Sequence, residues 1–293
     1  VAETDKVPLD NMRKESRSVP GVADHPPFPG CLRDTHDRRS TMPSLAGKTA
    51  LVTGSSRGIG AYTAKLLAAD GANVVVNYRE KAPRARKVVQ GIEEAGGHAV
   101  AVGADLTDPE AVRAMMRAAV DTFGGLDVLV LNASGGMEPH VGTDYAMRLN
   151  RDAQLDTLLA GAELMSEGGR VVFVTSHQAH FIREVGTIPE YERVARSKRA
   201  GEDALIEQIP VLSAKGISFV TVSGDVIEGT VTAMLLNWAQ KGALEARSKE
   251  IGESYSVAEF AQEVTAMATA DVETGHVELV GGADDFLEQI SAS

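Results

Sequence analysis

The chain has 293 residues with 43% hydrophobic residues and a formal net charge of −12, a length that suits one large α/β domain with a short extension. No stretch approaches the ~18 consecutive apolar residues that a membrane span needs. Residues 1–41 carry seven Lys/Arg against seven Asp/Glu, so all the excess acid lies in 42–293, and such a surface repels nucleic-acid phosphates and anionic lipids at long range.

In chain order, residues 1–41 come first. Pro8, Pro20, Pro26, Pro27 and Pro29 break any helical or strand period there, which predicts an irregular N-terminal extension. Either a leader with Met42 as the natural start or an arm that clasps another subunit fits this composition. The one cysteine, Cys31, cannot close an internal disulfide. The opening residues lack a basic stretch followed by an apolar core, so the expected location is the reducing cytoplasm.

From Lys48 onward, short apolar runs alternate with amphipathic stretches. Strands are predicted at Thr49 to Thr53, Ala72 to Asn77, Ala99 to Ala104, Val128 to Asn132, Arg170 to Ser176, Ile217 to Val222 and His276 to Val280. Helical stretches such as Ala61 to Asp70 and Asp108 to Phe123 lie between them. This alternation predicts an α/β domain over 42–293, a doubly wound parallel seven-stranded sheet with helices on both faces.

Thr53-Gly54-Ser55-Ser56-Arg57-Gly58-Ile59-Gly60 joins the first strand to the first helix. Glycines there permit a tight turn and close backbone approach, and the following helix offers unpaired N–H groups and its positive end to a pyrophosphate. The second strand runs into Asn77-Tyr78-Arg79 with no acid before Glu80, whereas an NAD-specific site places Asp or Glu there for the ribose hydroxyls. Arg79 and Arg57 suit a 2′-phosphate instead. NADP(H) is therefore expected in preference to NAD(H), and no metal.

These features resemble the short-chain dehydrogenase/reductase family over about residues 45 to 283, which implies the Rossmann fold. Thr53 to Gly60 resembles its cofactor turn, Asp105-Leu106-Thr107 its adenine-contacting Asp, and Asp127 to Gly135 its Asn-Asn-Ala-Gly strand, keeping Asn132 and Ala133. Thr274-Gly275 to Gly282 resembles its closing strand. The implied cofactor contacts are Gly54, Ser56, Arg57, Gly58, Ile59, Gly60, Asn77, Arg79, Asp105, Leu106, Asn132, Ala133, Lys198 and Gly224, the last in Ser223-Gly224-Asp225 where the family has Pro-Gly.

The family implies hydride transfer between a nicotinamide cofactor and a small-molecule carbonyl or alcohol, carried by Asn, Ser, Tyr and Lys. Asn150, Ser176 and Lys198 match by position. Lys198 is placed by counting back from Gly216-Ile217 through one uninterrupted helix, in which Pro210 should produce a kink or an end.

The family tyrosine stands four residues before its lysine, and Val194 occupies that position. Tyr191 is the nearest phenol, seven residues before Lys198 and about 10.5 Å along a helix axis, one turn too far for the usual coupling. Thr187-x-x-Glu190 reads as a capping box that starts the helix just ahead of it. His177 and His180, just after Ser176, are alternative proton donors, since imidazole titrates near neutrality.

Val231 to Glu253, with Met234, Leu235, Leu236 and Trp238 at helical spacing, reads either as a substrate lid or as ordinary core. The functional expectation is an NADP(H)-dependent oxidoreductase. The alternative is a catalytically impaired NADP(H)-binding protein with a regulatory role. The family also implies a homodimer or homotetramer.

Overall fold

The computed structural model describes residues 45–138, 142, 144–239, 241–242 and 255–292; the extension 1–41 and most of 240–254 lie outside the described residues. Seven strands form one sheet: β1 (Thr49–Val52), β2 (Asn73–Tyr78), β3 (His98–Gly103), β4 (Leu126–Leu131), β5 (Met165–Ser176), β6 (Ser218–Gly224) and β7 (Val277–Val280). All neighbours pair in parallel, in the order β3-β2-β1-β4-β5-β6-β7. Each expected strand is present, with ends displaced by a few residues.

The central strands are apolar along their length because both faces are covered. Val52, Val74, Val76, Val130, Val172 and Val220 fill one face beneath α1 (Gly58–Ala69) and α2 (Ala82–Glu94). Leu51, Val75, Leu129, Leu131, Phe173 and Phe219 fill the other beneath α3 (Pro109–Phe123). Period-two alternation of the side chains sorts neighbouring residues into these two cores.

After β4 the chain forms α4 (Tyr145–Met147), a π-helical turn (Arg148–Asp152) and α5 (Ala153–Leu164). A short α6 (His177–His180) follows β5, then α7 (Pro189–Ile206) and α8 (Ile209–Ala214). Beyond β6 come α9 (Val231–Ala239) and α10 (Val257–Ala266), and α11 (Ala283–Ser291) follows β7. Among the described residues no helix is long and apolar enough to cross a membrane.

Two helix expectations are corrected. Thr187 does not cap α7: Ile188 is the N-cap, extended at ψ 140° and without a side-chain cap, and Pro189 opens the helix. Proline's fixed φ suits the first helical position, and it forces the residue before it out of the helical region. Nor is the Lys198 helix uninterrupted to Gly216. It stops at Ile206, and Pro210 sits in the first turn of the separate α8, where its missing N–H costs nothing.

Strand order reverses between β1 and β4, and ligands bind open α/β sheets in the crevice beyond the carboxyl ends of the strands at that switch. Gly54, Asn132, Ser176 and Gly224 all stand at carboxyl ends of strands in this sheet.

Candidate active site and cofactor cleft

A cleft of about 520 Å³ opens along these strand ends, and Gly54, Asn132, Ser176, Tyr191 and Lys198 are among its lining residues. At its head is the glycine turn. Gly54 and Gly58 hold φ of +63° and +56°, backbone that side-chain-bearing residues rarely adopt. A Cβ at Gly60 would lie 2.6 Å from the Asn132 amide nitrogen, so only glycine allows α1 to start this close to β4. Arg57, the N-cap of α1, makes no side-chain cap bond, and the first turn contains no acid. The helix thus presents its N–H groups and positive end to the cleft, a ready-made phosphate cradle.

The turn is braced from beneath. Asn77 accepts from Gly54 N–H at 3.0 Å and donates to the Ala104 carbonyl at 3.3 Å. It lines the cleft, but its amide is committed to holding the turn. Thr53 Oγ1 accepts from the Asn132 and Ala133 amides at 2.9 and 3.0 Å, and the Asn132 side chain donates to Thr53 O at 2.9 Å. Asp105 Oδ1 is engaged by the Thr107 amide and hydroxyl.

Arg57, Arg79, Lys81 and Arg84 ring one end of the cleft. Arg79 pairs with Glu80 at 3.1 Å and donates to the Tyr145 hydroxyl. Burial raises the Tyr145 phenol above its ordinary range, against the pull of the Arg79 guanidinium. Lys81 is the N-cap of α2, so Lys81 and Arg84 add positive charge at the positive end of a helix, where an anion is favoured. Arg57 and Arg79 were expected here from the sequence; Lys81 and Arg84 were not, although both lie at the start of the helix that follows Arg79.

At the other end Ser176 closes β5, and its hydroxyl lies 3.2 Å from the Tyr191 hydroxyl. Tyr191 occupies the first turn of α7, its amide donating to Ile188 O at 3.0 Å. Lys198 lines the same cleft and is only 9% exposed. Seven residues turn a helix through about 700°, so Tyr191 and Lys198 share a face to within roughly 20°. Val194 lies outside the cleft lining, packed with Ala179, Ile182, Ala195 and Leu236.

Asn150 is buried in the π-helical turn and does not line the cleft. Its amide nitrogen donates to Gly135 O and Ser197 Oγ, both at 2.9 Å, and its Oδ1 accepts from Gly135 N–H at 3.2 Å. Its backbone carbonyl faces α7, where a Cβ on Gly201 would lie far inside contact distance. Gly224 does not line the cleft either; a side chain there would collide with Phe260. Both were expected in the site from motif position, and neither is among the residues that line the cleft.

The two histidines are also withdrawn from proton delivery. His177 is fully buried, with Nε2 2.7 Å from Gly281 O and Nδ1 2.8 Å from Ser223 Oγ. Because a carbonyl can only accept, Nε2 carries the proton there. His180 donates to Glu202 at 2.6 Å, and Glu202 is fully buried beneath Arg199. Both rings tie strand ends and helices together.

Comparison with known proteins agrees with this geometry. A family model described as short chain dehydrogenase matches residues 48–191. An uncharacterized oxidoreductase of Methylorubrum extorquens is 34% identical over 245 residues, covering 80% of this chain and 97% of that protein. The short chain dehydrogenase/reductase AacuN of Aspergillus aculeatus is 36% identical over 198 residues, 65% of this chain and 72% of its own length. The crystal structure of a short chain dehydrogenase from Burkholderia cenocepacia in complex with NADP superposes with a TM-score of 0.70 at 30% identity, over 82% of this chain and 98% of that one. Glycine turn, strand order, cleft and relatives agree, and the chain belongs to the short-chain dehydrogenase/reductase family.

Proposed function

We propose that the protein is an NADP(H)-dependent oxidoreductase that interconverts a carbonyl and an alcohol, with Ser176, Tyr191 and Lys198 as its catalytic residues. The 3.2 Å approach of the Ser176 and Tyr191 hydroxyls carries this reading. A carbonyl oxygen placed between two such donors is polarised for hydride addition and has a proton source at hand.

Bound NADPH supplies the hydride. The N-terminus of α1 would hold its pyrophosphate, with Arg57, Arg79, Lys81 and Arg84 around the 2′-phosphate. Ser176 orients the substrate oxygen, and the Tyr191 Oη proton passes to it as the carbon is reduced. Lys198 contributes positive charge to the same cleft and a grip on the nicotinamide ribose. Asn150 supports α7 from behind and touches no reactant.

The reading also takes residues 1–41 as an extension ahead of a catalytic domain 42–293, and the protein as a cytoplasmic homodimer or homotetramer. The impaired-binder alternative rests on Val194 in the place of the family tyrosine. Tyr191 beside Ser176 favours the active enzyme. Calorimetric titration with NADPH, followed by NADPH oxidation over a panel of ketones and aldehydes, tests the two. Binding with turnover supports the enzyme, binding without turnover of any carbonyl supports the binder, and absence of binding overturns both.

A further inference from the structure

Gln178 lies two residues beyond Ser176, in the one-turn helix α6, and lines the cleft with Ser176 and Tyr191. The pairing of β5 with β6 sets Gly224 opposite Ser176. The next residue, Asp225, is therefore delivered to the same rim, where it lines the cleft and is 6% exposed. Gln178 Nε2 donates to Asp225 Oδ1 at 2.6 Å, and the Val226 amide donates to that same oxygen at 2.7 Å.

This contact fixes the orientation of the amide. A carboxylate only accepts, so the nitrogen of Gln178 must face Asp225 and the carbonyl oxygen must point elsewhere. Gln178 makes no other hydrogen bond among the described residues. It thus offers the cleft an acceptor, beside two hydroxyls already committed to each other and to the reacting oxygen. Val226, Ala233 and Leu236 add apolar surface to the same lining, alongside Thr230 and Thr232.

We propose that Gln178, held by Asp225, is a specificity-determining residue that accepts a hydrogen bond from a hydroxyl on the substrate. The preferred substrates are then carbonyl compounds with a hydroxyl on an apolar body. The inference rests on the carbonyl-reductase reading above. A site built to bond a substrate hydroxyl discriminates strongly against the analogue that lacks it, because its buried polar group is left unpaired.

The test compares hydroxycyclohexanones with their methyl ethers, in NADPH-dependent assays of the full chain. We expect kcat/KM for the hydroxy ketones to exceed that for the ethers by about tenfold or more, the equivalent of one hydrogen bond. Gln178→Met should narrow the hydroxyl-to-ether ratio mainly through KM, while Asp225→Asn, whose amide oxygen still accepts from Gln178 Nε2 and the Val226 amide, preserves the ratio. Equal turnover of hydroxy ketones and ethers by the wild-type protein overturns this inference and leaves the reductase reading standing. If no carbonyl compound of any kind is turned over despite NADPH binding, both fall.

Discussion

Ser176 and Tyr191 are brought hydroxyl to hydroxyl, 3.2 Å apart, by two different elements: Ser176 ends a central strand, and Tyr191 begins the helix that packs across it. The phenol has moved one helical turn away from the position next to Lys198 that the family pattern favours. From its place in the first turn of α7 it still comes within hydrogen-bond distance of the strand-end serine.

Tyr191→Phe removes only that oxygen. The expected result is a fall in kcat of about 10²- to 10⁴-fold, the usual worth of a positioned general acid, with NADPH affinity retained by calorimetry. Activity within a few-fold of wild type would show that the proton comes from elsewhere.

The cationic rim makes a separate prediction about the cofactor. Replacing Arg57 and Arg79 with Ala should weaken NADPH binding by about 10- to 100-fold, from charge-assisted bonds of roughly 1.5–3 kcal/mol each that are partly shared with Lys81 and Arg84. NADH, which lacks the 2′-phosphate, should be affected much less. The measurement is the ratio of the two dissociation constants, and an unchanged ratio excludes a 2′-phosphate at this rim.

Glu202 joins α7 to α6. It accepts from His180 at 2.6 Å and lies beneath Arg199, which in turn donates to the His180 carbonyl at 2.9 Å and pairs with Asp203 at 3.0 Å. Removing Glu202 takes the acceptor from His180 Nδ1 and one of two carboxylates from Arg199, which keeps Asp203, at a cost of about 1–3 kcal/mol. Glu202→Ala should therefore shift the urea midpoint far more than Glu192→Ala, whose partner Arg196 is at the surface. Equal shifts would mean that the buried network contributes no more than a surface pair.

A pH-dependent effect is expected at Glu263 on α10. Burial, reinforced by the nearby Glu278 carboxylate, pushes the Glu263 carboxyl above its ordinary range. The folded protein therefore binds this proton more tightly than the unfolded chain. The stability this lends is present below the unfolded pKa and is lost as pH rises through the folded value. Glu263→Gln should raise the melting temperature at neutral pH and leave it nearly unchanged near pH ~4. A uniform shift at both pH values would point to packing instead.

The seven strands were legible because each apolar run is bounded by polar or glycine-containing segments, and a buried parallel strand permits little else. The glycine turn was legible for a similar reason: positive φ and close backbone approach restrict those positions to one residue type. The start of α7 was not. Thr187 and Glu190 have the right spacing for a cap, but Pro189 decides where the helix begins. The approach of Tyr191 to Ser176 depends on α6 and the connection after it, a tertiary effect that no local spacing encodes. Asn150 and Gly224 were assigned from motif position alone, which cannot separate a residue facing the cleft from one supporting it.

Gly201 fastens α7 to the Asn150 carbonyl with no side chain between the two backbones. A helix seated that closely cannot slide or roll, much as a keyed shaft cannot slip in its collar. Over evolutionary change, the phenol could be relocated only by rewriting which rung of the ladder bears it, and rungs 191 and 194 both place their side chains in one apolar cluster, from which Tyr191 reaches Ser176. The lysine stays where the collar holds it, and the spacing between the two groups becomes a property of the sequence alone.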